Sequence, residues 1–314
     1  MAQLVVIGSS NTDMILQVPH LPGPGETVLG GTFSTAPGGK GANQAVAAAR
    51  AGADVSLVAC VGRDSFGEQA LAGFAAEGID TRHCVVDDDT PSGVAHIFVA
   101  ADGENAIGVA SGANARLGIR HLQSARSLLR KATVLLLQLE SPLDTVIEAA
   151  RMGRAADTVV ILNPAPACEL PADLYPLLDM ITPNESEVEA LTGIAVRDAA
   201  SAAAAAAVLH DRGVNTVLVT RAARGVYLSQ RDGHNAARGR LFDAFAVDAV
   251  DTTAAGDVFN GCLAAALTRG GGLEAAIRFA QGAAALSVQT LGAQTSAPTR
   301  TAIETFVQHA FDPH

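Results

Sequence analysis

The sequence lacks several features that would narrow its role at once. It holds four cysteines in 314 residues, Cys60, Cys84, Cys168 and Cys262, with no Cys-x-x-Cys pair and no histidine at metal-ligand spacing beside any of them. That argues against a zinc framework or a disulfide scaffold, and reduced, mostly buried thiols are expected. No apolar run reaches the roughly 20 residues of a membrane helix, and the chain enters Leu4 to Ile7 without a basic leader. A cytoplasmic protein with no membrane partner is the expectation. The 21 Lys and Arg are scattered among 32 Asp and Glu for a formal net charge of -11, so a nucleic-acid partner is not expected. Internal repeats are absent, as is any linker long enough to separate autonomous domains. Two nucleotide fingerprints are missing as well. Gly8-Ser9-Ser10-Asn11 offers no Gly-x-Gly-x-x-Gly, which argues against a nicotinamide-dependent oxidoreductase. The Walker A spacing fails too, because Ser34 stands where the first glycine belongs and Gly41 where the hydroxyl residue belongs.

What is present is an apolar chain, 49% hydrophobic, able to bury a large core. Leu4-Val5-Val6-Ile7 is short, continuously apolar and closed by Gly8, as suits a strand buried on both faces. Further strands are expected at Val55 to Cys60, Val134 to Leu137, Val159 to Leu162, Met180 to Thr182 and Thr216 to Val219. Helix-like segments lie between them at Gly41 to Arg50, Phe66 to Glu77, Pro142 to Arg154 and Glu185 to Leu191. The alanine-rich run Ala199 to Ala207 reads as an ordinary helix, given the propensity of alanine. The alternation predicts an α/β fold with a mostly parallel central sheet and helices on both faces.

Two stretches break the pattern. Asn11 to Thr35 carries Pro19, Pro22 and Pro24 among glycines without a helical period, and Gly93 to Val109 reads as two strands joined by a turn at Ala101 to Asn105. One domain spanning 1–314 is expected, with a small β lid from segments of about 11–37 and 93–110. Such a flap would close over a ligand and exclude water.

Four segments can carry chemistry. Asp251-Thr252-Thr253-Ala254-Ala255-Gly256-Asp257 precedes an amphipathic helix, and small residues at a helix start leave N–H groups open to a phosphate oxyanion. Asp257 reads equally as a base for an incoming hydroxyl or as a helix cap. Gly38-Gly39-Lys40-Gly41-Ala42-Asn43 allows close backbone approach to a polyhydroxylated ligand with Lys40 and Asn43 as donors, or is a structural turn. In Thr182-Pro183-Asn184-Glu185-Ser186-Glu187 the spacing of Asn184 and Glu187 fits a capping box, or a place for Glu187 near hydrated Mg²⁺ and a triphosphate. Asn11-Thr12-Asp13, just past the first strand, is placed to grip sugar hydroxyls or forms an Asx turn.

Taken in order, these motifs, together with Pro24-Gly25-Glu26-Thr27, Gln138-Leu139-Glu140-Ser141-Pro142, Asn163-Pro164-Ala165-Pro166 and Asp251 to Asn260, make the chain resemble the phosphofructokinase-B (ribokinase-like) carbohydrate kinase family from about Leu4 to Phe306. The resemblance implies ATP-dependent phosphorylation of D-ribose at its 5-hydroxyl, with deoxyribose, a hexose such as fructose, or a nucleoside as alternative acceptors. By the same resemblance Asp257 is the base, and backbone donors of Ala254, Ala255 and Gly256 form the anion hole. Asn11, Asp13, Gly39, Lys40, Asn43 and Glu140 would hold the sugar. Asn184, Glu187, Gly256, Gln281 and the stretch Thr220, Arg221, Ala222, Ala223, Arg224 and Gly225 would line the nucleotide pocket, with Mg²⁺. Asp251, Thr253, Ser287, Thr290, Gly292 and Ser296 match positions that bind a monovalent cation, commonly K⁺, and a homodimer through the lid strands is implied. Two departures stand out: family members usually carry glycine where Ala222 stands, and often histidine where Gln281 stands. A catalytically silent sugar-binding regulator would not need Asp257 and the anion hole, so their presence argues against that class.

Overall fold

The computed structural model describes residues 3–231 and 237–311. In chain order it begins with β1 (Gln3–Ile7), β2 (Asn11–Val18), β3 (Thr32–Gly38), α1 (Lys40–Arg50), β4 (Asp54–Val58), β5 (Cys60–Gly62), α2 (Ser65–Ala76), β6 (Val85–Asp87), β7 (Gly93–Ala100) and β8 (Asn105–Ala110). The middle comprises α3 (Ile119–Ser124), α4 (Arg126–Leu129), β9 (Ala132–Leu137), α5 (Leu143–Arg154), β10 (Val159–Leu162), β11 (Met180–Ile181), α6 (Glu185–Thr192) and α7 (Ala199–Asp211). It ends with β12 (Thr216–Thr220), β13 (Val226–Arg231), β14 (Ala237–Phe242), α8 (Ala255–Thr268), α9 (Leu273–Ser287) and α10 (Arg300–Phe311).

An eight-stranded sheet in the order β14-β13-β12-β11-β10-β9-β1-β4 forms the centre. It is parallel from β4 through β12, and only β13 and β14 run antiparallel to their neighbours. Because side chains alternate along a strand, its apolar runs feed two cores. Leu4, Val6, Val134, Leu136 and Ile161 pack with residues of α1, α8 and α9 on one face. Val5, Ile7, Leu135, Leu137, Val160 and Leu162 pack with α5, α6 and α7 on the other. The expected architecture is therefore the observed one. The antiparallel pair β13–β14 lies outside the expected strands: β14, Ala-Arg-Gly-Arg-Leu-Phe, is exposed along most of its length and lacks an apolar run.

Local chemistry sets the helix starts. Asp64 caps α2 by accepting the Gly67 N–H at 2.8 Å, and Asp198 caps α7 by accepting the Ser201 N–H at 2.8 Å. The Ala199 to Ala207 run is helical, as its composition predicts. The second sheet, β3-β2-β7-β8, stands off the ends of β1 and α1. Its hairpin β7–β8 turns at the expected residues, with Gly103 at φ 90°. All four thiols are free, and Cys168 is exposed whereas Cys60 and Cys262 are buried. Among the described residues no helix is long and apolar enough to cross a membrane.

Helices α1 and α8 cross where Gly261 has no side chain; a Cβ there would lie 2.3 Å from the Gln44 carbonyl oxygen. Gly261→Ala is expected to force these helices apart at a cost of about 1–3 kcal/mol. Urea unfolding measures that cost. Since both helices carry candidate site residues, catalysis should fall as well.

Candidate active site

Strand β1 ends at Ile7, and the chain then passes through Ser9 and Ser10 into β2, which starts the lid sheet. Gly39, at the return from β3 into α1, has φ 89° and its Cβ position lies 2.7 Å from the Asn11 N–H nitrogen. Only glycine fits this close approach. It brings Asn11 and Asp13 of the lid beside the first turn of α1.

That first turn presents Lys40, Asn43 and Gln44 towards α8. Asp257 is buried, and its carboxylate accepts the Asn43 Nδ2–H at 3.0 Å and the Gln44 Nε2–H at 2.9 Å. Each amide is oriented by a further amide: Gln138 Nε2 donates to Gln44 Oε1 at 2.6 Å, and Gln294 Nε2 donates to Asn43 Oδ1 at 3.2 Å. Gln44 Nε2 also reaches Asn163 Oδ1 at 3.0 Å. The capping reading of Asp257 does not hold. The N-cap of α8 is Ala254, in left-handed backbone with φ 58° and no side-chain cap.

Burial pushes the Asp257 carboxyl above its ordinary range; the Lys40 ammonium and the two amide donors oppose this, and Glu140 adds to it. Burial of Lys40 works to lower its pKa, but Asp257, Glu140, Glu187 and Asp13 outweigh it and the ammonium is held above its usual value. Burial, with Glu140 and Asp257 nearby, raises Asp13 to about 6. Glu140 accepts the Lys40 backbone N–H at 2.9 Å and the Ser9 hydroxyl at 2.5 Å. Thus several acids surround one ammonium, and the arrangement favours ligands that donate hydrogen bonds.

A cleft of about 210 Å³ opens here, bordered by Lys40, Asn163, Ala165, Thr182, Asn184, Glu187, Thr220, Thr252, Ala254, Ala255, Gly256, Asp257 and Asn260. At the start of α8 the Ala255 N–H turns back to the Thr252 carbonyl at 3.3 Å. Among the described residues, no partner engages the N–H groups of Ala254, Gly256 and Asp257, so these are the open donors at this helix start. Asn184 and Glu187 form a capping box and also line the cleft: Asn184 Oδ1 accepts the Glu187 N–H at 2.8 Å, and Glu187 Oε2 accepts the Asn184 N–H at 2.8 Å. Burial raises the Glu187 carboxyl, opposed by the Asn184 N–H and by Lys40.

Other expected residues lie apart from this cleft. Of the stretch Thr220 to Gly225 only Thr220 borders it, while Ala222, Ala223 and Arg224 are exposed. Ala222 has φ 48°, the left-handed backbone in which a Cβ costs on the order of 1 kcal/mol relative to glycine. Gln281 is buried outside the cleft lining, and its Nε2 donates to the carbonyls of Phe242 and Asp243, each at 3.2 Å. Asp251 accepts the Thr253 N–H at 2.9 Å and the Gly292 N–H at 2.8 Å. Burial acts to raise its carboxyl, but the Thr253 side chain and these two backbone donors hold it below the usual range. Ser287 and Ser296 donate their hydroxyls to the carbonyls of Ala284 and Ala293, and the Thr290 N–H donates to the Ser287 carbonyl at 3.0 Å. Among the described residues no group of three or more His, Cys, Asp or Glu side chains is arranged for a metal.

The amides Gln44, Gln138, Asn163, Asn260, Gln294 and Asn114 lie outside the site residues expected from sequence. Asn114 accepts the Ser10 N–H at 2.9 Å and donates to Asn11 Oδ1 at 2.7 Å, locking the exit from β1 into the lid. Burial of so many amides is their shared signal, and it shows only once the fold is known.

A sequence model of pfkB family carbohydrate kinases matches residues 1–300. The chain belongs to this family. Within it, the chain is 46% identical to a ribokinase of Haemophilus influenzae over 307 residues, covering 98% of this chain and 99% of that one. A deoxyribokinase of Salmonella typhi is 39% identical, with 94% and 95% covered. The solved structure of Arabidopsis thaliana ribokinase complexed with ribose and ATP superposes with a TM-score of 0.91 at 31% identity, covering 98% of this chain and 99% of that one.

Asp13 yields a testable sign. Its carboxyl ionises near 3.8 in the unfolded chain and at about 6 in the fold. Below 3.8 both states hold the proton and the group contributes nothing. As pH rises to 6 only the unfolded state releases it, so stability falls, and the whole cost applies above 6. Asp13→Asn is therefore expected to stabilise the protein by about 1–3 kcal/mol at pH 8. Urea unfolding should show that gain shrinking as pH approaches 4.

Proposed function

We propose that this chain is a single kinase domain that transfers the γ-phosphoryl of ATP to the 5-hydroxyl of D-ribose, giving D-ribose 5-phosphate and ADP. The observation that carries the reading is the buried Asp257 carboxylate, held by the amides of Asn43 and Gln44 beside an uncapped start of α8. The ribose assignment draws support from near full-length identity to a ribokinase. A deoxyribokinase at 39% identity makes deoxyribose the second candidate.

In the proposed reaction the lid segments 11–37 and 93–110 close over the sugar, with Asn11, Asp13, Gly39, Lys40, Asn43 and Glu140 fixing its hydroxyls. Asp257 takes the proton as the sugar oxygen bonds to the γ-phosphorus and the bond to the departing ADP oxygen breaks. Its raised pKa makes it a stronger base than an ordinary carboxylate, while Lys40 and two donated amide hydrogens oppose that rise. Charge on the phosphoryl oxygens meets the open N–H groups of Ala254, Gly256 and Asp257 and the positive end of the helix dipole. Asn184, Thr220 and the loop after it would receive the nucleotide.

For Mg²⁺, Glu187 and Asn184 supply oxygen donors suited to a hydrated ion, which would neutralise triphosphate charge. For K⁺, Asp251 with the carbonyls and hydroxyls of Thr253, Ser287, Thr290, Gly292 and Ser296 is an oxygen-only donor set, which suits a hard monovalent ion. Its charge would add to the helix start. A homodimer through the lid fits the exposure of β8 along its length and of Phe33, Ile107 and Val109, which are 62%, 59% and 55% exposed. A second copy would cover that apolar surface. A cytoplasmic location is part of the same reading.

Asp257→Asn is expected to reduce turnover about 10²–10⁴-fold while ribose binding and the melting temperature persist. Near wild-type turnover would remove the base assignment. A coupled ADP-release screen across pentoses, hexoses and nucleosides should rank D-ribose first. Replacing potassium by tetramethylammonium should slow the reaction, and equal rates would remove the cation site.

A further inference from the structure

After β12 the segment Thr220 to Gly225 makes one tight turn over Ala222–Arg224. The Thr220 N–H donates to the Pro183 carbonyl at 2.9 Å, the Arg221 N–H to the Gly225 carbonyl at 2.8 Å and the Arg224 N–H to the Arg221 carbonyl at 2.9 Å. At its centre, Ala222 occupies left-handed backbone that disfavours any residue with a Cβ. The Gly225 N–H donates back to the Ala222 carbonyl at 3.1 Å, and side-chain contacts at the turn add to what offsets the strain.

Glu185, the first residue of α6, is placed to do so. Arg224 Nη2 donates to Glu185 Oε1, and Arg221 Nε lies 3.5 Å from the same oxygen. Arg224 Nη1 also donates to the Arg197 carbonyl at 2.8 Å. Arg221 is 7% exposed and its Nε has no hydrogen-bond partner, so its burial depends on the nearby carboxylate. One carboxylate therefore gathers the arginines on either side of Ala222. It follows Asn184 directly, and Asn184 and Thr220 both border the cleft.

We propose that Glu185 is a positioning residue for the nucleotide: by clipping Arg221 and Arg224 it holds Ala222 in its strained turn and so fixes the loop beside the cleft. The inference rests on reading this loop as part of the nucleotide pocket. It concerns binding geometry and assigns Glu185 no contact with the phosphates.

Steady-state kinetics with ATP and sugar varied separately test it. Glu185→Ala removes a negative charge near an anionic ligand, so Coulomb attraction alone predicts a lower KM for ATP. Loss of the clip predicts the opposite, a rise of about two- to five-fold, with the sugar KM unmoved. Adding Ala222→Gly should reverse most of the rise, because glycine takes positive φ freely. An ATP KM that stays level or falls in Glu185→Ala, while Thr220→Val raises it, overturns the proposal and leaves the loop reading standing. If neither variant moves it, the loop reading fails and takes the proposal with it. A double variant no better than Glu185→Ala also overturns it. Should Glu185→Ala not fold, Glu185→Gln, which keeps the side-chain length without the charge, is read in the same way.

Discussion

Burying one carboxylate against two side-chain amides is the constraint on which the rest of the site depends. A lone carboxylate at the Asp257 position would take up a proton. The amides of Asn43 and Gln44 oppose that, but an amide can turn and offer its oxygen instead. Gln138 and Gln294 prevent the turn by donating to the oxygens of Gln44 and Asn43. The orientation of the amides that face Asp257 is thus set by partners just after β9 and in the loop after α9. The close crossing of α1 and α8 at Gly261 keeps the distances short.

The same geometry places opposing demands on the site. Asp13, Glu140, Glu187 and Asp257 all act on Lys40, and an ammonium so held would be lost only at high pH. The acids in turn raise one another: Glu140 and Asp257 lift Asp13, and Asp257 adds to the rise of Glu187. A polyol with several O–H donors satisfies such a site better than water alone does, because each donated bond favours an ionised acid.

The central sheet is legible in the sequence where strands are buried on both faces. Leu4 to Ile7, Val134 to Leu137 and Val159 to Leu162 have no other use for unbroken apolar residues. β14 is not, because it lies at the sheet edge and its Arg238 and Arg240 sit in an exposed strand whose pairing is decided by β13. In the site, Asp257, Lys40 and Asn43 stand in motifs dense with glycine and small residues. Gln294 stands outside every quoted motif, and Gln138, though inside one, gives no sign of its role, because each acts only by turning another amide across 251 and 94 positions of sequence. The positive φ of Ala222 is legible only as a condition: its family position calls for glycine, and the structure has the backbone that explains why.

The exit from β1 divides the molecule's labour. Among the described residues, the side chains that hold Asp257 come from α1, and β2, β3, β7 and β8 supply none of its hydrogen-bond partners. Asn11 and Asp13, by contrast, ride on the lid. On the proposed reading, lid substitutions that leave Asp13 in place can therefore change which sugar is gripped without disturbing the hydrogen bonds of Asp257, whereas Asp13 itself is coupled to that carboxyl. In the proposed reaction, acceptor choice and phosphoryl chemistry become separately inherited traits, free to drift at different rates within one fold.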